Sequence, residues 1–242
     1  MMGNFYDAAT EWLGLGPGTL KAGTLMGLSS YGKVSKKAQD NWKKWTCPIW
    51  HRNTPEEDHF YVEWLFTQIT GRFPYIGALR SEIKNNEPGS EHYTKEWQTV
   101  FTKEESTTQE VMDYAADVQF ITERSLVEYS QQLFEESEPF NGHNLCSAGG
   151  IFLNCNANHK ILTETGFERM HLFPACGDDG VSAGSALYVL HHILHFPRVE
   201  YTNSDLAYLG FSYNHQPQSK YQSYNLDLDR IANALSKSQI VC

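Results

Sequence analysis

Two short glycine turns carry most of the chemistry that this sequence can offer. In the first, Ser147-Ala148-Gly149-Gly150, adjacent glycines leave a backbone without Cβ atoms. Such a turn can come close to a phosphate or ribose while exposing N–H groups at the start of the next helix, or it can be a tight connection only. The second, Pro174-Ala175-Cys176-Gly177-Asp178-Asp179-Gly180, puts two carboxylates between glycines just before a helix. A carboxylate there can cap the helix, or it can ligate a cation that also touches phosphate oxygens. Neither turn holds the Gly-x-Gly-x-x-Gly of a dinucleotide site or the Gly-Lys-Ser/Thr of a P-loop.

Other reactive side chains read as structural. His191, His192 and His195 share one helix, but the Glu of a His-Glu-x-x-His motif is absent, so a polar face or a packed pair is expected. Nothing around Cys146, Cys155 and Cys176 lowers a thiol pKa, and they read as small buried residues. The five lysines from Lys33 to Lys44 read as a solvated helix face rather than an anion patch.

The elements that position the turns follow from periodicity. Thr107 to Glu136 has neither Gly nor Pro. Val111, Ala115, Val118, Ile121 or Thr122, Leu126, Tyr129 and Leu133 recur at steps of three or four, predicting a long amphipathic helix with a Thr107/Glu110 capping box. Then come two strand, turn and helix units. Asn144 to Ser147 is a strand and Asn154 to Thr165 a helix closed by Gly166; Met170 to Phe173 is a strand and Val181 to His195 a helix stopped before Pro197. Both turns should therefore lie at the carboxyl ends of neighbouring parallel strands and converge on one cleft. Phe5 to Gly32 reads as a short helix and a close-packed turn, the stretch to about Glu105 as an irregular, partly helical excursion, and Asp227 to Lys237 as a helix before a strand at Ile240 to Cys242.

Composition bounds the function. The 242 residues are 40 % hydrophobic, 13 % aromatic and 20 % charged, which suits a packed globular chain. A net charge of -10 argues against DNA or RNA as a main partner. Five cysteines without a C-x-x-C pair, no leader before Phe5 and no apolar run of bilayer length predict a soluble, cytoplasmic protein and no membrane partner.

The runs Leu145 to Asn158, Gly166-Phe167 and Pro174 to Leu187 resemble the carbamoyltransferases, including the nodulation-factor and antibiotic O-carbamoyltransferases. Phe5 to Gly14, the turn from Met26 to Gly32, and Tyr208-Leu209-Gly210 match the same family in order. The resemblance implies an α/β, partial actin-like (ASKHA, ribonuclease H-like) domain over 1–242, with a mostly parallel or mixed sheet flanked by helices. Within it lie a glycine-rich entry (1–33), an irregular excursion (34–105), a nucleotide and metal cleft half (106–200) and a C-terminal part (201–242). It further implies an ATP-dependent reaction in which carbamoyl phosphate yields carbamoyl-adenylate, whose carbamoyl group passes to a hydroxyl of a small-molecule acceptor.

By this resemblance Gly149, Gly150, Asn154 and Gly177 face the nucleotide. Asp178 ligates a divalent metal, Fe(II) in the family's type, and Asp179 has no metal role. The family's His-x-x-x-His metal pair would precede Phe5 and its YrdC-like domain would follow Cys242. The chain by itself is thus expected to be inactive, and to self-associate or pair with a chain that covers an apolar surface near Phe5 to Gly32. The alternatives are a tRNA threonylcarbamoyl-transfer protein of the same superfamily and a non-catalytic nucleotide-binding or interaction module.

Overall fold

The computed structural model describes residues 2–46, 55–72, 100–140, 142–200 and 227–237. They fall into two units, Met1–Arg198 and Val199–Cys242. Within the first, helix α1 (Met2–Trp12) buries Met2, Phe5, Tyr6, Ala9 and Trp12, the spacing of a single apolar face. After a glycine turn comes α2 (Gly18–Ser29), whose exposed N-terminal donors are partly met by Glu11, with Oε1 accepting the Gly18 N–H at 2.8 Å. Helices α3 (Lys36–Thr46) and α4 (Pro55–Thr70) give the expected irregular excursion more helix than its sequence showed.

The long helix is present as α5 (Gln109–Ser137), two residues later than predicted. Its cap is Thr108, not Thr107: Thr108 is extended at φ -77° and ψ 153°, and its side chain accepts the Val111 N–H. The expected apolar stripe is buried from Val111 through Leu126, whereas Tyr129 and Leu133 are exposed.

Helix α5 belongs to two cores. Val111, Ala115, Val118 and Ile121 pack with α1, α2, α3 and α4 around Phe5, Trp12, Leu25 and Phe66. Leu126 and Val127 pack with Leu145, Ala157, Ile161 and Phe167 in a second core. That second core lies beneath strand β1 (Asn144–Ser147), helix α6 (Cys155–Glu164) and strand β2 (Arg169–Leu172). The strands pair in parallel, Asn144 with Arg169 through Ser147 with Leu172, and form the two-stranded sheet of the described residues. The architecture is therefore mixed α/β and mostly helical, with far less sheet than expected.

Helix α7 (Val181–Tyr188) runs on into a wider π turn over Val189–Ile193, shorter than the helix predicted to His195. His195 has φ 56°, a left-handed conformation that a helix cannot continue through. In the second unit, α8 (Leu228–Ser236) is capped by Asp227, which accepts the Arg230 N–H at 3.0 Å. The strand expected at Ile240 to Cys242 lies outside the described residues. No helix among them is long and apolar enough to cross a membrane.

Near Phe5 to Gly32 the apolar side chains divide: Phe5, Ala9, Trp12, Leu13 and Leu25 are core residues, because α1 and α2 lie against α5, while Leu20 and Tyr31 are exposed. Exposed apolar side chains also gather along α7 and its turn, at Val181, Tyr188, Val189 and Ile193. The lysines behave as read. Lys33, Lys36, Lys37, Lys43 and Lys44 are exposed, with Lys36 paired to Asp40 and Lys43 to Glu128.

The exit of α2 is stitched to the first turns of α5. Asp113 accepts the Lys33 N–H at 2.8 Å, and Asp117 accepts the Ser35 N–H and hydroxyl, each at 2.7 Å. Gly32 touches the α5 backbone so closely that a Cβ would lie 1.9 Å from the Met112 carbonyl oxygen. Gly32→Ala must therefore push two backbones apart, and urea unfolding should show a loss of about 1–3 kcal/mol. An unchanged midpoint would mean that the approach is not close in solution.

Burial pushes the Asp117 carboxyl above the ordinary range, although the Ser35 donors pull it down, and burial also raises Asp7 and Glu11. Exposed Asp113 is lowered, chiefly by the Gln109 amide. At the three raised groups the folded chain holds more protons than the unfolded one, so stability falls as pH rises from the ordinary carboxylate value through the raised one. The urea midpoint should accordingly rise as pH is lowered from neutrality toward the ordinary carboxylate range. Asp117→Asn should show a shallower dependence than the parent; an equal or steeper one would refute the assignment to Asp117.

Candidate functional site

The parallel register sets Ser147 beside Leu172, so both strands release their turns at the same edge. The turns then meet. The Gly149 N–H donates to the Cys176 carbonyl at 2.6 Å, and a Cβ on Gly177 would lie 3.9 Å from the Gly150 Cα. The convergence expected from the sequence is thus present in the backbone.

Gly149 has φ 111° and ψ 145°, a region that side-chain-bearing residues hardly enter. Its conformation turns the chain into a 3-10 turn over Gly150–Leu153, closed by Phe152 N–H to Gly149 at 3.0 Å and Asn154 N–H to Ile151 at 3.1 Å. No atom lies within 4 Å of a Cβ placed on Gly149 or Gly150, so the outer side of this turn is open. As first donors of a helical turn, the Gly150 and Ile151 N–H groups have no acceptor within it.

Asn154 sits where the 3-10 turn becomes α6 and is buried. It caps α6, its Oδ1 accepting the Ala157 N–H at 3.1 Å. The same amide pairs reciprocally with Gln119 of α5: Gln119 Nε2 donates to Asn154 Oδ1 at 3.1 Å, and Asn154 Nδ2 donates to Gln119 Oε1 at 3.0 Å. Gln119 in turn accepts from the Tyr6 hydroxyl at 2.6 Å and donates to Glu123 at 2.7 Å. Lys160 of α6 closes the line on Glu123 at 2.5 Å. Burial, reinforced by the Glu123 charge, pushes the Tyr6 phenol up, so it remains a hydrogen-bond donor.

The second turn is held differently. Asp178 and Asp179 open a 3-10 turn (Asp178–Gly180) that leads into α7, and neither Gly177 nor Gly180, at the two helical starts, receives a side-chain cap. Both carboxylates are exposed. Asp178 therefore does not cap a helix, and it projects free at the mouth of the turn. Gly180 is fixed by close approach, a Cβ there falling 1.9 Å from the Ala175 carbonyl oxygen.

Of the three cysteines in this region only Cys176 is buried; Cys146 and Cys155 are exposed, contrary to expectation, and all three are free. Cys146 alternates with buried Leu145 on β1, and Cys155 begins a helix whose inward positions are Ala157 and Ile161. His192 stacks on Tyr188 with ring centroids 4.7 Å apart, and His191 Nδ1 lies 3.1 Å from the Phe196 carbonyl oxygen; His192 and His195 are exposed, nearer the polar face than the packed pair of the two readings. Among the described residues no three His, Cys, Asp or Glu side chains gather where they could hold a metal ion.

Sequence reasoning missed the buried line through Tyr6, Gln119, Glu123 and Lys160. Gln119 and Glu123 are spaced four apart and polar, the pattern of a solvated helix face. Only the folded contact of α5 with two cores makes them internal.

Two parallel strands whose following turns meet at one edge form the ligand-binding arrangement of an open α/β layer. The chain belongs to the carbamoyltransferase family: the family model for the carbamoyltransferase N-terminus matches residues 1–187. It is 36% identical over 120 residues to an uncharacterized protein of Synechocystis sp., covering 49% of this chain and 19% of that one. It is also 40% identical over 75 residues to an uncharacterized protein of Methanocaldococcus jannaschii, covering 31% of this chain and 12% of the relative. The chain thus spans only a small part of the length of these relatives.

Because Asp178 makes no cap, Asp178→Asn should leave thermal unfolding within about 0.5 kcal/mol of the parent. A loss near 1 kcal/mol, the usual cost of removing a cap, would restore the structural role.

Proposed function

We propose that this chain forms the nucleotide-facing part of an ATP-dependent carbamoyltransferase, in an actin-like domain, that passes the carbamoyl group of carbamoyl phosphate to a small-molecule hydroxyl through carbamoyl-adenylate. The observation that carries this reading is the Gly149 to Cys176 hydrogen bond. It unites the two turns that also carry the strongest family likeness, and it leaves the outer side of the first open.

In this reading Gly149 and Gly150 present backbone to the phosphate and ribose, since no side chain there keeps a ligand at a distance, and Gly177 adds its backbone beside them with the Asp179 carboxylate close by. Asn154, committed to its cap and to Gln119, fixes where that backbone lies. The Gly150 and Ile151 N–H groups point partial positive charge toward an anionic phosphate. In the transfer step the acceptor hydroxyl oxygen bonds to the carbamoyl carbon. The bond from that carbon to the AMP phosphate oxygen breaks, AMP leaves with the electron pair, and the hydroxyl proton passes to a base. Backbone donors near the departing phosphate stabilise the charge it takes on.

Asp178 is the carboxylate this chain offers to a divalent metal, Fe(II) by the family likeness. Among the described residues no cluster of three such ligands joins this exposed carboxylate, an incomplete site for such an ion, so no step here passes through a metal. The cytoplasm is the proposed setting. Association, with a second copy or with a chain supplying the rest of the relatives' length, would fall on α7, where Val181, Tyr188 and Ile193 are exposed.

The test is an assay of carbamoyl-phosphate-dependent AMP release by this chain and by the polypeptide extended at both ends to its relatives' length. The extended form should release AMP when given a hydroxyl acceptor, the short chain should not, and Asp178→Asn in the extended form should lose at least about a hundredfold. Turnover by the short chain, or full activity in the extended Asp178→Asn variant, would overturn the corresponding assignment.

A further inference from the structure

We infer that Gln119 is the positioning residue for the nucleotide turn, holding Gly149 to Leu153 in its binding geometry through Asn154, with Tyr6 and Glu123 locking its amide. The inference rests on the nucleotide reading above. It begins from the fact that Gln119 is buried with every hydrogen-bonding valence used: its Oε1 accepts from Tyr6 and Asn154, and its Nε2 donates to Glu123 and Asn154. Rotating the amide by half a turn would aim its oxygen at the Glu123 carboxylate, and although the Tyr6 hydroxyl could turn to accept an N–H, two facing oxygens cannot bond. Only one orientation is compatible with both neighbours, and that orientation dictates the orientation of Asn154.

Asn154 is the hinge between what is fixed and what is open. On its C-terminal side it caps α6 at Ala157, and on its N-terminal side its own N–H closes the 3-10 turn on Ile151. The turn gains one more tether from Asn158, whose Nδ2 donates to the Phe152 carbonyl at 2.6 Å. The inner side of the turn is therefore set by amides, while its outer side has open space at both glycines. A buried polar network is costly unless fully satisfied, and a leucine-like filler would serve the core equally well. What the amides add is a unique position for the backbone above them.

The experiment compares the parent chain with Gln119→Met, which keeps the length of the side chain and removes all four hydrogen bonds, and with Tyr6→Phe, which keeps the ring and removes only the lock. Ile69→Val, a cavity on α4 in the first core, serves as the stability control. Hydrogen exchange of the 149–154 amides is measured without ligand, and ATP affinity by titration calorimetry on folded protein well below each unfolding midpoint.

Gln119→Met should speed exchange in the turn and weaken ATP about tenfold, which is the loss of roughly one well-formed hydrogen bond. Tyr6→Phe should do the same to a smaller degree. Ile69→Val should lower the midpoint with turn exchange and affinity unchanged. A merely structural Gln119 would lower the midpoint yet leave both readouts of the folded protein at parent values, and that result overturns the inference. If Gln119→Met fails to fold, Tyr6→Phe decides the matter by the same two readouts. If the parent itself binds no ATP while turn exchange still depends on Gln119, the nucleotide reading falls and the positioning of the turn stands.

Discussion

Everything in the first unit depends on one helix being buried on two sides. Helix α5 gives its first half to the helical core of α1 to α4 and its second half to the core under β1, α6 and β2. A fully buried Val, Leu or Ile is worth about 1.5–3 kcal/mol, so Val111, Val118 and Ile121 on one side and Leu126 and Val127 on the other hold both halves to a common axis. An isolated two-stranded sheet has little stability of its own. Here β1 and β2 are ordered because α5 and α6 cover them, not because they pair.

Where the two cores meet, the helix switches from apolar to polar contacts. Gln119 and Glu123 fall between Val118 and Leu126, and they reach Tyr6 on one side and Asn154 and Lys160 on the other. Hydrophobic packing alone permits small slides of one core against the other; directional hydrogen bonds do not. The polar line thus fixes the register between α1, α5 and α6 at the level of the first glycine turn. A neighbouring contact, Arg124 paired with Glu164 and laid over the Trp42 ring, ties α5 to α6 and α3 at the surface, where a charge pair is worth less.

Much of this was legible in the residues and some was not. The strand at Asn144 to Ser147, the helix that Asn154 begins and the meeting of the two turns follow from local signals: alternation, a capping residue, glycines at strand ends. The start of α5 was misplaced because Thr107 and Thr108 are equivalent in type, and only the extended backbone of Thr108 decides between them. The burial of Phe5, Ala9 and Trp12 was not legible because it depends on α5, far along the chain, which covers that face and leaves Leu20 and Tyr31 exposed. Gln119 could not have been found locally, since a polar pair four apart on a helix has the same appearance whether solvent or Asn154 lies opposite.

The two turns of the site are consequently held by different means. The first is anchored through Asn154 to the polar line and through Ile151 to both cores. The second has one buried side chain, Cys176, whose carbonyl receives the Gly149 N–H, and beyond it α7 buries no residue at all. A helix of eight residues without packing gains little from its own backbone bonds. The position of Asp178 is therefore borrowed from the first turn, by way of Cys176, and from whatever covers the exposed side of α7. Through that dependence the two glycine turns, which belong to separate strands and helices, share a single point of attachment, and ordering the first orders the second.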